Sequence, residues 1–322
     1  PADGSHHHAP GDERSGTWVR VGQPSAGANW GSAFVPRIGT EVAVQFIEAD
    51  IDRPVVIGQL HNGQDRPPFA AGVDSGVNHP GVLSGLASRG LDGQGSNRFV
   101  LDDATGQLRT SLHCTYAQAG LSLGHLIAQG GIGAAWRGPW LGSGVLAHTR
   151  GWATLRAGAG LLLSTAARAG SYGSAEGTQM DAAEARAQLQ AGRELGQRLG
   201  QAAAAGQAQG LPSHDDTAAL DRALQAMDPQ RDGRFAGPLN GQAEFQPGAD
   251  GRTLGSAPVD TFARPLIALH SASAQAWASP ACLMAWAGQT TSWVTQAELH
   301  QAAAHTYAQV SGKGASLYTH AG

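Results

Sequence analysis

The stretch EVAVQFIEADIDRPVVIGQL, residues 41–60, decides the fold class. Val42, Val44 and Phe46 stand at every second position and therefore share one face of a strand. The segment that follows them carries Asp and Pro, which are typical of a turn, and residues 54–60 predict the paired strand. The stretch therefore predicts two short strands joined by a turn.

Further short strands flank this pair. Residues 17–23 alternate in character, and residues 31–36 follow a turn that is rich in Gly and Asn. Short strands at a spacing of roughly ten residues predict a small barrel. Gly39 comes just before a strand, where we expect a backbone with positive φ or a bulge.

The composition excludes several functions. Charged residues make up 14% of the 322 residues and aromatic residues 6%, so large core-forming side chains are scarce. With a net charge of −4, the chain lacks the excess of basic residues that nucleic-acid binding requires. The sequence contains no run of 18 apolar residues and therefore predicts no transmembrane helix. Cys114 and Cys282 lie far apart, which favours a reducing compartment over a disulfide framework.

Strand patterns return after a connection rich in Gly and Ser. Residues 98–103 and 108–114 flank a turn that contains Gly106, and they predict a hairpin. Further short strands are predicted at 145–148, 153–156 and 161–165.

Two helices are predicted to interrupt the strands. Residues 178–206 begin with a weak capping box at 178–181 and carry a narrow stripe of mostly small apolar side chains. Residues 215–227 predict a second helix. The stripe consists of Met180, Ala183, Ala187, Ala191, Leu195, Leu199 and Ala202.

The C-terminal segment, residues 265–322, contains only two charged side chains, Glu298 and Lys313. Apolar residues recur there at a spacing of eight, which predicts a repeated unit of strand and turn. One such strand cannot bury its apolar face alone, but copies from several chains that close around a common axis supply partners and remove free edges. The repeat positions are Ala278, Trp286, Val294, Ala302, Val310 and Tyr318.

Several motifs carry a family resemblance. The segments WVRV (18–21), ANWG (28–31), PRIGTEV (36–42), DRPVVIG (52–58) and NG (62–63) together mark residues 15–69. This region resembles the barrel module of the VgrG family, the spike proteins of bacterial type VI secretion. Residues 101–110, 164–185 and 316–322 resemble the shaft and extension of the same family.

The resemblance implies a homotrimer in which each chain gives one barrel and one third of a three-sided needle. It implies no catalytic residue and no cofactor. The spike would sit on a tube-ring protein, carry a tip cap protein and effectors or adaptors, and pierce a target membrane. It would be assembled in the bacterial cytoplasm and then injected into the target cell. The family's N-terminal hub is missing, so we expect an internal fragment of a longer protein.

The predicted fold class is mainly β: a small OB-like barrel, a strand-rich neck and a trimeric β-helix or β-prism needle, with a helical insertion. The predicted domains are a loop or linker (1–16), the barrel (17–66), a linker (67–95), the neck (96–170), the helical insertion with loops (171–250) and the needle repeats (251–322). The predicted structural barrel positions are Trp18, Pro36, Gly39, Asp52, Arg53, Pro54 and Gly58. The predicted needle packing positions are Trp277, Trp286, Trp293, Val294, Val310 and Tyr318.

The sequence favours a non-enzymatic protein without a metal site. Asp50 and Asp52 are better explained as turn residues than as metal ligands. His300 and His305 lie five apart beside Glu298, whereas a zinc protease needs two histidines four apart on a helix. Two alternatives stay open: a spike with a fused cell-wall hydrolase, and a trimeric surface adhesin.

Overall fold

The chain divides into two compact units, Pro1–Thr154 and Leu155–Gly322. The division falls inside the predicted neck, 96–170, so the finer domain boundaries stay predictions. The computed structural model describes residues 18–64, 67–69, 82–128, 137–168, 170–171, 174–175, 178–211, 219–235, 245–248, 251–254 and 259–319.

The described residues of the first unit form short strands and two short 3-10 turns, Ile47–Ala49 and Tyr116–Gln118. Its strands are β1 (Arg20–Val21), β2 (Ala26–Gly27), β3 (Trp30–Gly31), β4 (Glu41–Phe46), β5 (Pro54–Leu60), β6 (Leu83–Ala87), β7 (Asn97–Asp102), β8 (Arg109–Cys114), β9 (Ala119–Ile127) and β10 (Trp140–His148). The strands pair antiparallel except for the first, which runs parallel to its neighbour.

A three-stranded sheet with the order β1-β5-β4 forms the start of this unit. Strand β4 runs antiparallel to β5, with a register shift between Ala43 and Val44. The predicted strand pair at 41–60 is therefore confirmed, and Val56 of β5 is buried. Gly39 has a φ of 89°, so the expected positive φ before β4 is also confirmed.

The outer barrel strands are shorter than predicted. Strand β1 covers only two residues of the predicted 17–23, and the predicted strand at 31–36 is reduced to the end of β3. A side chain takes the place of a strand partner here: the amide of Gln23 accepts from the N–H of Phe34 at 2.9 Å and donates to its carbonyl at 3.2 Å. Because a side chain binds these backbone groups, the segment forms no ladder.

A five-stranded antiparallel sheet with the order β10-β9-β8-β7-β6 dominates the rest of the unit. Strands β7 and β8 form the predicted hairpin, in which Asp102 pairs with Arg109. Gly106 in the turn has a φ of 72°, and Gln107 donates to the carbonyl of Ala104 at 2.9 Å. The predicted strand at 145–148 is confirmed as the end of β10.

The second unit combines two helices with short strand pairs. Its elements are β11 (Leu161–Ser164), β12 (Gly170–Ser171), β13 (Ser174–Ala175), α1 (Ala183–Ala205), α2 (Ala219–Met227), β14 (Arg234–Phe235), β15 (Phe245–Gly248), β16 (Gly251–Leu254), β17 (Val259–Asp260) and β18 (Ile267–His270). Residues 153–156 form no strand, because none of the described strands pairs with them at the boundary between the units.

Both predicted helices are confirmed, and they pack on the parallel strand pair β11–β18 around a small core. Strand β11 confirms the prediction at 161–165, and residues 215–218 of the second predicted helix lie outside the described residues. The core consists of Ala182, Ala185, Leu224, Met227, Phe262 and Ala268.

Two details of the first helix differ from the prediction. Thr178 does not cap it, because its hydroxyl donates to the distant carboxylate of Asp260 at 2.6 Å, and Asp181 accepts from the N–H of Ala183 instead. The buried positions are Ala185, Gly196, Gly200 and Ala203 rather than the predicted stripe. Gly200 faces the neighbouring chain segment, since a Cβ there would lie 3.2 Å from the backbone nitrogen of Leu211.

The C-terminal ribbon, which we define as residues 271–319, contains neither strand nor helix. The predicted needle strands are not formed within one chain, because this segment has no neighbouring strand of its own chain among the described residues. Strand outweighs helix in the chain, at 27% against 16%, which confirms the mainly β fold class. Neither of the described helices has the length and apolar character that crossing a membrane requires.

Candidate assembly surfaces

The two faces of the five-stranded sheet differ in chemistry. Residues paired across neighbouring strands project to the same face, so the register assigns each side chain to one side. The first side, here called the apolar face, carries two adjacent rows of mostly apolar residues. The rows are Leu86, Phe99, Leu112, Leu121 and Ala147, and Ser84, Leu101, Thr110, Leu123 and Val145.

The apolar face is open to solvent within a single chain. Leu112 at its centre is 50% exposed, and Val145 at its edge is 72% exposed. A contiguous apolar patch that spans several strands is typical of an interaction surface rather than of a monomer's exterior. The face therefore needs a cover that this chain does not supply among its described residues.

The opposite side, here called the polar face, carries charged, imidazole and hydroxyl groups. One row across β7 to β10 is Arg98, His113, Gly120 and His148, and a second is Val100, Ser111, Ser122 and Leu146. Burial lowers the pKa of His113, and the nearby His148 and Arg98 lower it further.

A buried ion cluster closes one end of the polar face. Asp102 is 1% exposed, and its carboxylate accepts from Arg109 at 3.3 Å and from Arg137 at closer range. Burial lowers the pKa of Arg109, while the charge of Asp102 raises it. This cluster was not predicted from the sequence. The alternation that places Asp102 on the same side of β7 as Val100 is the one signal of it in the sequence.

The C-terminal ribbon is a second uncovered surface. Within residues 272–319 every residue is exposed except Val294, which is half-buried. The predicted needle positions Trp277, Trp286, Trp293, Val294, Val310 and Tyr318 lie on this ribbon, and their inward or interstrand packing stays a prediction. Tyr318 lies beside α1, because a Cβ at Gly206 would meet its ring at 2.6 Å.

The predicted barrel positions lie ahead of β1, ahead of β4, in the turn before β5 and within β5. Trp18 is largely exposed and Pro36 half-buried; Pro54 begins β5, and Gly58 lies within it. Asp52 lies in the turn, where its N–H donates to the carboxylate of Asp50 at 3.0 Å. That contact supports the turn role predicted for these two aspartates over a metal site.

Arg53, another predicted barrel position, forms an ion pair with Glu48 at 2.5 Å. The pair lies across the turn before β5. Both side chains are well exposed, so the pair contributes little to stability. The role of Arg53 in specifying the barrel therefore stays a prediction.

Ion pairs hold the start of the helical insertion. Arg168 donates to Asp181 at 3.1 Å and to the two oxygens of Glu184 at 2.7 and 2.8 Å. These bonds lower the pKa of Glu184 from 4.5 to about 2 and raise that of Arg168. Arg193 of α1 pairs with Asp221 of α2 at 3.2 Å, which joins the two helices.

The described residues contain no group of three or more His, Cys, Asp or Glu side chains that could hold a metal ion. Glu298 and His300 form an exposed pair at 2.8 Å on the ribbon. Asp102 is buried and Asp103 exposed, as expected for adjacent residues of a strand end.

Three family models match consecutive parts of the chain. "Type VI secretion system/phage-baseplate injector OB domain" matches residues 6–61, and "Putative type VI secretion system Rhs element Vgr" matches residues 89–203. "Uncharacterized protein conserved in bacteria (DUF2345)" matches residues 255–322.

Curated relatives agree with these models. The spike proteins VgrG2b and VgrG2a of Pseudomonas aeruginosa are each 35% identical over 192 residues, which is 59% of this chain. The chain spans only 18% and 21% of their respective lengths. The actin cross-linking toxin VgrG1 of Vibrio cholerae is 32% identical over 32% of this chain and 9% of its own length.

A solved structure shares the fold. The structure of the Tle1 effector bound to the VgrG spike matches with a TM-score of 0.53 at 19% identity, over 74% of this chain and 58% of that chain. The matched models come from the type VI secretion and phage-baseplate injector class of proteins. The models, the curated relatives and the solved structure agree on one group of similar proteins, the VgrG spike proteins of type VI secretion.

Proposed function

We propose that this chain is a structural, non-enzymatic segment of a type VI secretion spike, which acts as a homotrimer to puncture target envelopes and carry effectors. The observation that supports this proposal best is the pair of uncovered surfaces, the apolar face and the C-terminal ribbon. In the proposed trimer, neighbouring copies supply the partners that each of these surfaces lacks among the described residues of a single chain.

The mechanical role follows from how such a trimer resists force. A strand that pairs between chains unfolds only when its neighbours separate, so assembly adds both thermodynamic and kinetic stability. The ribbon has few charges, with Glu298 and Lys313 the two in residues 265–322, so moving it through an apolar layer carries a small desolvation cost.

The proposed partners follow from the family and from the relative that is bound to the Tle1 effector. We propose a tube-ring protein on the hub side, a tip cap protein, effectors or adaptors on the shaft or tip, and transient contact with the target membrane. Assembly takes place in the bacterial cytoplasm, followed by injection into the target cell. The insertion that contains α1 and α2 lies along the shaft or docks an adaptor.

A sizing experiment tests the trimer. The molar mass of the purified chain is measured by multi-angle light scattering in increasing guanidinium chloride. The measured mass should equal three times the 33.0 kDa of one chain, and it should stay there well above the denaturant concentration that unfolds ordinary domains. A folded monomer at all protein concentrations contradicts the proposal. A peptidoglycan-release assay on the same sample tests the second proposal, a fused cell-wall hydrolase, and release above a heat-treated control would support it.

A further inference from the structure

A cavity of about 500 Å³ opens on the polar face of the five-stranded sheet. Its volume is in the range of pockets that hold small organic ligands. The cavity lies on the side of the sheet opposite the apolar face, so the inference below stands independently of the proposed trimer.

One wall of the cavity is a row of nitrogen-bearing side chains. Arg98, His113 and His148 line it, and the rings of the two histidines have centroids 6.2 Å apart. Gly120 lies between these histidines in the register, and a Cβ there would come within 2.7 Å of the His148 ring. The glycine therefore keeps the space between the two imidazoles open.

The lining is positive and holds no carboxylate among its described residues. Asp102, the nearest buried acid of the polar face, already faces two guanidinium groups. The hydroxyl of Ser96 is buried, lines the same cavity and has no hydrogen-bond partner among the described residues. Such a set of donors suits an anionic acceptor, and the neighbouring guanidiniums disfavour a metal cation between the histidines.

A second part of the lining is apolar, while Arg109, Ser111, Thr115, Gln118 and Ser122 complete the cavity. Leu83, Val100 and Ile127 line it and are buried, and Phe69 packs against the first two of them. A bare inorganic anion would leave this wall without contacts. A ligand that has an acidic head and a hydrocarbon body satisfies both walls at once.

We propose that this cavity binds a small amphiphilic carboxylate, with the head group between His113, His148 and Ser96 and the hydrocarbon body against the apolar wall. Arg98 contributes its charge to the head-group site. A medium-chain fatty acid has the chemistry and size of this class.

Calorimetric titration of the full chain with decanoate tests the proposal. Decanol, which lacks the charge, and inorganic phosphate, which lacks the apolar body, should each bind at least about tenfold more weakly than decanoate. Equal binding of decanol and decanoate, or no decanoate binding at millimolar concentration, overturns the proposal. Tight phosphate binding would instead assign the site to free anions and would overturn the amphiphile.

Matched variants place the site in the cavity. His148→Gln and Gly120→Ala should each weaken decanoate binding at least about tenfold, while His125→Gln, which lies in β9 and stacks on Trp140 outside the cavity lining, should leave it unchanged. Denaturant midpoints of the three variants show that each is folded. Equal affinities in folded His148→Gln and His125→Gln proteins overturn the assignment.

The pH dependence supplies a further readout. His113 faces Arg98 on β7, Gly120 on β9 and, beyond it, His148 on β10, and burial holds its pKa below the ordinary value. A carboxylate bound beside the imidazole favours the protonated ring, so binding should take up protons and affinity should rise as pH falls through the pKa of His113. Titrations in two buffers of different ionisation enthalpy measure this uptake, and proton release contradicts the head-group placement.

Discussion

Replacing Trp286 with Ala should strongly weaken the proposed trimer. The Trp286 side chain is 91% exposed in the single chain, so almost all of its surface is available to a partner copy. A buried aromatic side chain removes about 150–250 Å² from water, and at about 25 cal/mol per Å² the gain is about 3–6 kcal/mol per chain. Three chains lose this contribution together, which amounts to about 10–17 kcal/mol for the assembled trimer.

The assay is the guanidinium concentration at which the light-scattering mass falls from three chains to one. Trp286→Ala should lower this midpoint and make it depend more steeply on protein concentration, because dissociation then competes with unfolding. The matched control is Trp152→Ala. Trp152 is fully exposed but lies outside both the apolar face and the C-terminal ribbon, so its loss should leave the midpoint unchanged.

Equal midpoints for Trp286→Ala and the unaltered protein would refute the reasoning. Such a result would mean that the ribbon keeps its tryptophan in solvent after assembly. A loss of equal size in both variants would also refute it, because the effect would then follow from removing any tryptophan rather than from the ribbon's contacts.

Three further predictions concern the stability of single elements. Asp102→Asn should cost about 3–5 kcal/mol, because it leaves two buried guanidiniums without their carboxylate, while the exposed Asp103→Asn should change the denaturant midpoint little. Gly85→Ala should destabilise far more than Gly144→Ala in thermal unfolding: both have positive φ, but only at Gly85 would the Cβ clash, 2.0 Å from a carbonyl oxygen. Because the pKa of Glu184 is lowered from 4.5 to about 2, its contribution is complete above pH 4.5 and is lost as pH falls towards 2. In Glu184→Gln, the free energy of unfolding should therefore fall less steeply between pH 4.5 and about 2 than in the unaltered protein. An unchanged slope would contradict a stabilising role of the Glu184 carboxylate.

Elements fixed by local sequence were predictable. The alternation at 41–46 and the hairpin around Gly106 depend on residues close together in the chain, and both formed as expected. The predictions failed where a distant partner intervened. Thr178 bonds Asp260 rather than capping its helix, and Asp102 is buried because Arg137, 35 residues away, reaches it.

The helix stripe failed for a different reason. The spacing of apolar side chains predicts that positions such as Ala187 face the core, whereas the buried face of α1 contains Gly196 and Gly200. Glycine has no side chain to count as apolar, but it permits the close backbone approach that packing against residue 211 needs. The contact partner of this helix could not be read from the sequence, because residue 211 lies outside the stripe's own periodicity.

The distribution of buried residues separates what this chain folds alone from what it leaves to assembly. The helices have a core of their own and the link between Arg193 and Asp221, so they hold together within one chain. In the part of the chain that the structure describes, the ribbon and the apolar face have no equivalent, although they carry many of the large apolar side chains. A monomeric protein would have placed those residues in its core, since burying them is the main favourable term in folding. Their exposure therefore supports the proposed trimer, in which the same residues would lie in the interior.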